Sequence, residues 1–113
     1  MRNIYLVTGG TGMVGNAIKG LLSGKKAVFL SSNMCDLRNK VATQYLFNSV
    51  RPTHVIHLAA KVGGVKANYE NLGDFYYDNI RINTNVLEAS KQTKVKKLVS
   101  LLSTCIYPDK VDY

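Results

Sequence analysis

Three glycines spaced three residues apart stand between an apolar run and a stretch with helical periodicity: Gly9, Gly12 and Gly15. Strand, glycine turn and helix, in this order, form a cradle for a dinucleotide pyrophosphate. Gly9 can adopt turn angles that a Cβ resists, Gly12 lets the backbone approach the phosphates, and Gly15 lets the helix pack close to the sheet. The free N–H groups at the helix start would face the phosphates. The pattern favours cofactor binding over a purely structural turn, with contacts from Gly9, Thr11, Gly12, Met13, Val14 and Gly15.

The apolar runs that must position this turn alternate with helical periodicities along the chain. Strands are predicted at about 3–8, 27–30, 54–59 and 97–102, and helices at about 13–23, 41–50 and 74–91. Asp36 or Asn39 is expected to cap the second helix, and Pro52 to end it. This alternation predicts an α/β fold of the Rossmann type, a doubly wound parallel sheet with helices on both faces.

Four strands make an incomplete sheet of this type, and the expected spatial order is 3-2-1-4. That order places the ligand crevice above strands one and four, where the glycine turn meets the strand ends at Ala59–Ala60 and at 103–105. Strand four would have an unpaired edge. We therefore expect residues 1–113 to be the N-terminal portion of a longer dinucleotide-binding protein, or to self-associate.

Length and charge exclude several classes of protein. A chain of 113 residues is expected to form one domain, and no apolar run approaches the roughly 20 residues of a membrane span. The N-terminus is a strand rather than a signal peptide, and two cysteines make no disulfide framework, so a cytoplasmic location is expected. No metal site is predicted. The net charge of +8 is dispersed apart from a lysine cluster at 91–97, which favours a solvated surface over nucleic-acid binding.

The residues after strand two bear on the choice of nicotinamide nucleotide. An NAD-specific fold usually has a carboxylate there to bind the ribose hydroxyl, and this chain has Ser31, Ser32 and Asn33. Lys25, Lys26 or Arg38 could supply positive charge. The sequence therefore favours NADP(H) over NAD, although these residues would also suit a simple turn.

Five segments occur together and in order: Thr8–Gly15, Leu58–Ala60, Lys61–Gly64, Asn79–Ala89 and Ser103–Pro108. In these segments the chain resembles the GDP-L-fucose synthases, a family of extended short-chain dehydrogenases/reductases, along its whole length. The resemblance implies an NADPH-dependent epimerase and reductase that converts GDP-4-keto-6-deoxymannose to GDP-L-fucose. It also implies a GDP-sugar substrate, whose domain would lie beyond this chain, and a homodimer when the protein is complete.

The resemblance also implies roles for individual residues. Ser103 matches the serine that hydrogen-bonds the 4-keto oxygen, and Cys105 matches the cysteine assigned to proton transfer in epimerisation. From the residues alone, both would count as turn residues. Asp36 and Leu37 match the loop that contacts adenine. The remaining cofactor contacts are expected at the end of strand three, from Leu58, Ala59 and Ala60.

One part of the family's pattern is missing from the sequence. No Tyr-x-x-x-Lys pair is present, because Tyr107 and Lys110 have the wrong spacing. His54 and His57 lie on an apolar strand and are expected to be packed or satisfied there. Asn79 and Asn83 are expected to be structural and to tie the third helix to neighbouring loops. The 113 residues alone are thus expected to be inactive; the alternative is a truncated NADP(H)-binding module or pseudoenzyme without catalysis.

Overall fold

A single parallel sheet organises the molecule. The computed structural model describes residues 2–31, 33–58 and 72–100. The four strands are β1 (Ile4–Thr8), β2 (Lys26–Leu30), β3 (His54–His57) and β4 (Lys97–Ser100). β1 pairs with β2 on one side and with β3 on the other, and β3 pairs with β4, all in parallel. The predicted α/β class is confirmed. The fourth predicted strand begins where expected, and residues 101–102 lie outside the described part of the chain.

The predicted strand order of 3-2-1-4 is wrong, because the observed order is β2-β1-β3-β4. Turns lie at residues 33–34 and 37–38, and the next strand that the structure describes, β3, lies on the other side of β1 from β2. The connections leaving β1 and β3 therefore run in opposite directions. The crevice of a doubly wound sheet lies where the connections diverge, so it lies above β1 and β3 rather than above strands one and four.

Between the strands, the described part of the chain forms three helices: α1 (Met13–Leu21), α2 (Lys40–Val50) and α3 (Leu72–Gln92). Right-handed crossovers place α1 on one face of the sheet and both α2 and α3 on the other, where these two helices contact each other. No described helix is long and apolar enough to cross a membrane. Because the strands are parallel, each connecting helix follows the carboxyl end of a strand. That edge of the sheet also carries the glycine turn.

The core lies between the sheet and the pair α2 and α3. Alternate residues of the strands face it, and Phe47 and Val86 are fully buried opposite them. The buried members of this cluster are Leu6, Leu30, Leu37, Phe47, Val55, Ile82, Val86 and Ala89. The apolar side chains of α1 are less completely buried on the other face. Val14 and Leu21 of that helix remain 48% and 78% exposed among the described residues.

The boundaries of α2 follow from its capping groups. The Asn39 side chain accepts a hydrogen bond from the backbone N–H of Ala42 at 3.0 Å, which satisfies one of the unpaired donors at the helix start. At the other end Arg51 adopts a left-handed conformation with φ of 53°, and Pro52 follows directly. The sequence left open whether Asp36 or Asn39 caps this helix, and the structure shows that Asn39 does.

Replacing Phe47 by Ala should destabilise the protein by about 3–5 kcal/mol, because the ring is fully buried and its loss leaves a cavity. Tyr45 provides a matched control on the same helix, since it is 74% exposed and its replacement by Ala should change stability by less than about 1 kcal/mol. Urea unfolding of both variants measures the difference. Equal losses in the two variants would contradict the described core.

Candidate functional site

The turn between β1 and α1 depends on a left-handed glycine. Gly9 has φ of 67°, a conformation in which a residue with a Cβ is strained. The next residue, Gly10, donates its backbone N–H to the carbonyl oxygen of Leu30 at 2.9 Å, which ties the turn to the end of β2. Gly12 then donates to the carbonyl oxygen of Gly9 at 3.1 Å. The turn is therefore closed on itself and fixed to the sheet.

Two further glycines permit a close approach of backbones. A Cβ on Gly15 would lie 2.6 Å from the Cα of Gly10 and closer still to its carbonyl oxygen. A Cβ on Gly10 would lie 2.9 Å from the Cα of Phe29. The sequence analysis expected Gly15 to pack on the sheet; it packs on the turn, and Gly10 packs on β2. The role of Gly10 was missed, although the Gly-Gly pair was the available signal.

The first turn of α1 presents backbone donors to the crevice. Gly12 is the N-cap in an extended conformation, and it makes no side-chain cap hydrogen bond. The first intrahelical bond is donated by Asn16 to the Gly12 carbonyl at 2.9 Å, so the N–H groups of residues 13–15 precede the helical ladder. No acidic residue lies in this turn. The positive end of the helix dipole and these donors together favour an anion here.

Gly12 leaves space at this position. The nearest atom to a Cβ on Gly12 would be the carbonyl oxygen of Gly9, at 3.4 Å, which is an ordinary contact. Thr11, Met13 and Val14 are exposed beside it. A side chain at position 12 would therefore fit the fold and would occupy the approach to the backbone donors.

A buried hydrogen-bonded chain joins the carboxyl ends of β1 and β3 to α3. The Thr8 Oγ1 and His57 Nδ1 atoms are 2.6 Å apart, and His57 Nε2 lies 2.8 Å from Asn83 Oδ1. The Asn83 carbonyl oxygen accepts, which assigns the hydrogen of the ring to Nε2 and leaves Nδ1 to accept from the Thr8 hydroxyl. Leu58 donates its backbone N–H to Thr8 Oγ1 at 3.1 Å and to the Thr8 carbonyl oxygen at 3.0 Å. The expectation that His57 is satisfied on its strand is confirmed, whereas Asn83 ties α3 to β3 and not to a neighbouring loop.

Burial lowers the pKa of His57, and the hydrogen bond to Asn83 opposes this change. The folded protein therefore prefers the neutral ring, while the unfolded chain takes up a proton near the ordinary pKa of about 6.5. The stability that depends on the neutral ring is present above that pH and is lost as the pH falls below it. His54 lies at the opposite end of β3, where it stacks on Tyr5 with ring centroids 5.0 Å apart.

The loop expected to contact adenine is braced against α3. Asp36 accepts two hydrogen bonds from the Arg38 guanidinium, at 3.0 Å each, and Arg38 also lies 3.5 Å from Asp78. The hydrogen bonds from Arg38 hold the pKa of Asp36 below its usual range. Asn85 and Arg81 of α3 donate to the backbone carbonyls of Leu37 and Arg38 at 2.8 and 3.1 Å.

These contacts limit which groups of the loop are available to bind a nucleotide. The Leu37 side chain is 6% exposed and belongs to the core, so any contact from that residue would come from its backbone. The Asp36 carboxylate faces an open surface cavity of about 510 Å³ that Arg81 and Asn85 also line. Arg38, one of the candidate cations, is already paired with Asp36 and Asp78.

The other two candidate cations are at the wrong edge of the sheet. Lys25 precedes β2 and Lys26 is its first residue, about 13 Å along the strand from the carboxyl end at Leu30. The expectation that they could neutralise a nucleotide phosphate is therefore wrong. Ser31 and Asn33 do follow the carboxyl end of β2, as predicted.

Several predicted site residues lie outside the described part of the chain. They are Ser32, Ala59, Ala60, Ser103 and Cys105. Within the described residues no group of three or more potential metal ligands occurs.

Residues 5–112 match the model of the NAD dependent epimerase/dehydratase family. The chain is 47% identical to a GDP-L-fucose synthase from Dictyostelium discoideum over 99% of its length, and 48% identical to a probable GDP-L-fucose synthase from Drosophila melanogaster over 96%. It covers 37% and 35% of these two proteins, so it spans about a third of the length of the curated relatives that it matches. The resemblance inferred from the motifs is confirmed.

A solved structure agrees with these relatives. A GDP-L-fucose synthetase from Naegleria fowleri, bound to NADP, is 43% identical and superposes with a TM-score of 0.83. The match covers 98% of this chain and 34% of that protein.

Replacing Gly15 by Ala should destabilise the protein by about 1–3 kcal/mol or more, because the methyl group overlaps the backbone of Gly10. Gly20, on the same helix, is the control. A Cβ there meets no atom within 4 Å, so Gly20→Ala should stabilise the helix by up to about 1 kcal/mol. Thermal unfolding of both variants measures the difference. A Gly15→Ala variant as stable as Gly20→Ala would contradict the close approach.

Proposed function

The chain belongs to the NAD dependent epimerase/dehydratase family, and on that premise we propose that it forms the NADP(H)-binding part of a GDP-sugar epimerase/reductase of the GDP-L-fucose synthase type. The observation that carries this proposal is the uncapped start of α1 above β1. Three features lie at this edge of the sheet: the backbone donors of α1, the space at Gly12 and the point where the connections of β1 and β3 diverge. A pyrophosphate has the charge and size that this edge favours.

The proposal assigns NADP(H) rather than NAD for two reasons. No carboxylate directly follows β2, since the described residues there are Ser31 and Asn33. The nearest acid, Asp36, is held by Arg38. A 2′-phosphate would therefore meet hydroxyl and amide groups instead of a repelling charge. The NADP bound to the Naegleria fowleri protein supports the same choice.

The proposed cofactor contacts run along the carboxyl edge of the sheet. The pyrophosphate would bind at the glycine turn, which contributes Gly9, Thr11, Gly12, Met13, Val14 and Gly15, and the N–H groups of residues 13–15 would be its backbone donors. Asp36 and the backbone of Leu37 would contact adenine, and the end of β3 would contact the cofactor through Leu58, Ala59 and Ala60. When bound, the cofactor supplies a hydride, and this chain's residues orient it.

For the whole protein we propose conversion of GDP-4-keto-6-deoxymannose to GDP-L-fucose, in a cytoplasmic homodimer. Ser103 would hydrogen-bond the 4-keto oxygen and stabilise the charge that develops there, and Cys105 would transfer protons during epimerisation. Both residues belong to the Ser103–Pro108 segment on which the resemblance depends. The proton donor to the reduced oxygen would have to come from outside these 113 residues, because the sequence has no Tyr-x-x-x-Lys pair.

The missing pair favours a second candidate, an NADP(H)-binding module without catalysis. The two candidates agree on cofactor binding and differ on turnover. Incubation of the 113-residue chain with NADPH and GDP-4-keto-6-deoxymannose should give no NADPH oxidation under either candidate. The longer protein, if made, should oxidise NADPH under the first candidate, and failure there would leave the binding module.

Gly12→Val should weaken binding of NADPH by about ten- to a hundredfold, because the side chain blocks a charge-assisted hydrogen bond worth about 1.5–3 kcal/mol. The variant should remain folded, since position 12 has space for a Cβ. Gly20→Ala is the matched control and should bind as the unchanged chain does. Titration followed by NADPH fluorescence measures all three proteins. Unchanged affinity in a folded Gly12→Val variant would refute the assignment of the pyrophosphate site.

A further inference from the structure

His57 joins the two strand ends that border the proposed crevice. Thr8, its partner on β1, directly precedes the left-handed Gly9, and Leu58, which directly follows His57, donates its backbone N–H to the Thr8 hydroxyl. On the other side of the ring, Asn83 holds Nε2 from α3. The imidazole is 3% exposed, so water does not replace these contacts easily. A change in the hydrogen bonds of this ring would therefore act on both strand ends that border the crevice.

The hydrogen bonds around His57 fit a neutral ring. Nε2 donates to the Asn83 carbonyl oxygen, and Nδ1 accepts from the hydroxyl of Thr8, which in turn accepts from Leu58. Protonation would turn Nδ1 into a donor facing that hydroxyl at 2.6 Å, so the hydroxyl hydrogen would have to turn away. It would also place a cation in a buried pocket. Both effects act on the backbone that leads into the glycine turn.

We propose that His57 is a positioning residue of the cofactor site, which holds Gly9 and Leu58 at the spacing that binds NADP(H) only while its ring is neutral. This inference rests on the proposed function and adds to it a pH dependence of binding. A neutral ring is favoured by the burial that lowers the pKa of His57. Cofactor affinity should therefore be unchanged at pH 6.5 and above, and it should fall only at the lower pH at which the ring of the folded chain takes up a proton.

Among the residues that the structure describes, the groups that face the ring carry no other charge that would account for this pH dependence. β1 contributes Thr8, α3 contributes Asn83, and the paired residue on β4 is Ser100. The buried carboxylate of α3, Asp78, lies within 3.5 Å of the Arg38 guanidinium. Among the described residues, His54 is the other histidine, and it lies at the amino end of β3.

The test compares the affinity of the 113-residue chain for NADP⁺ between pH 8 and pH 5, by calorimetry, in three proteins. Below the pH at which His57 takes up a proton, the unchanged chain and His54→Gln should each lose up to about tenfold in affinity per pH unit. His57→Gln, which lacks the ring, should not show this loss. The 2′-phosphate of the ligand titrates near pH 6 in every titration, so the difference between proteins isolates the ring. Parallel pH profiles for all three proteins would overturn the inference.

Asn83→Asp supplies a second and independent readout, which also serves if His57→Gln fails to fold. A carboxylate beside Nε2 favours the imidazolium, so the loss of affinity should begin at a higher pH than in the unchanged chain. A purely structural role for the network would weaken binding equally at every pH, and that result would overturn the inference. Absence of NADP⁺ binding by the unchanged chain at pH 8 would instead overturn the proposed function.

Discussion

The contact between the backbones of Gly10 and Gly15 constrains the rest of the molecule. Because neither residue has a side chain, α1 can begin directly beside the turn that leaves β1, and the turn can lie against Phe29 of β2. A Cβ at either position would separate the helix from the sheet. This approach places the backbone donors of the first turn of α1 over the carboxyl edge of the sheet, where the positive end of the helix dipole favours an anion.

Sequence reasoning predicted the parts of this arrangement that are encoded locally. The positive φ of Gly9, the Asn39 cap and the four strands follow from residue types and short-range spacing. The satisfied environment of His57 was also predictable, because a histidine in an apolar strand must find buried partners. Its partners Thr8 and Asn83 lie 49 and 26 residues away, so their identity depends on the fold.

The errors concern features that local sequence does not encode. Strand order depends on which way the chain crosses the sheet, and the residue types between β2 and α2 gave no indication that β3 would pair with β1. The pairing of Arg38 with Asp36 and Asp78 likewise required knowledge of where α3 packs. In each case long-range packing decided the outcome.

The central claim is that the start of α1 binds the cofactor pyrophosphate. The most direct measurement is a titration of the ¹⁵N-labelled chain with NADP⁺, followed by the amide resonances of residues 9–15. We expect saturable shifts in the amides of Gly12, Met13, Val14 and Gly15, with smaller changes at Leu58. Saturable shifts confined to other parts of the chain, with residues 9–15 unmoved, would contradict the account.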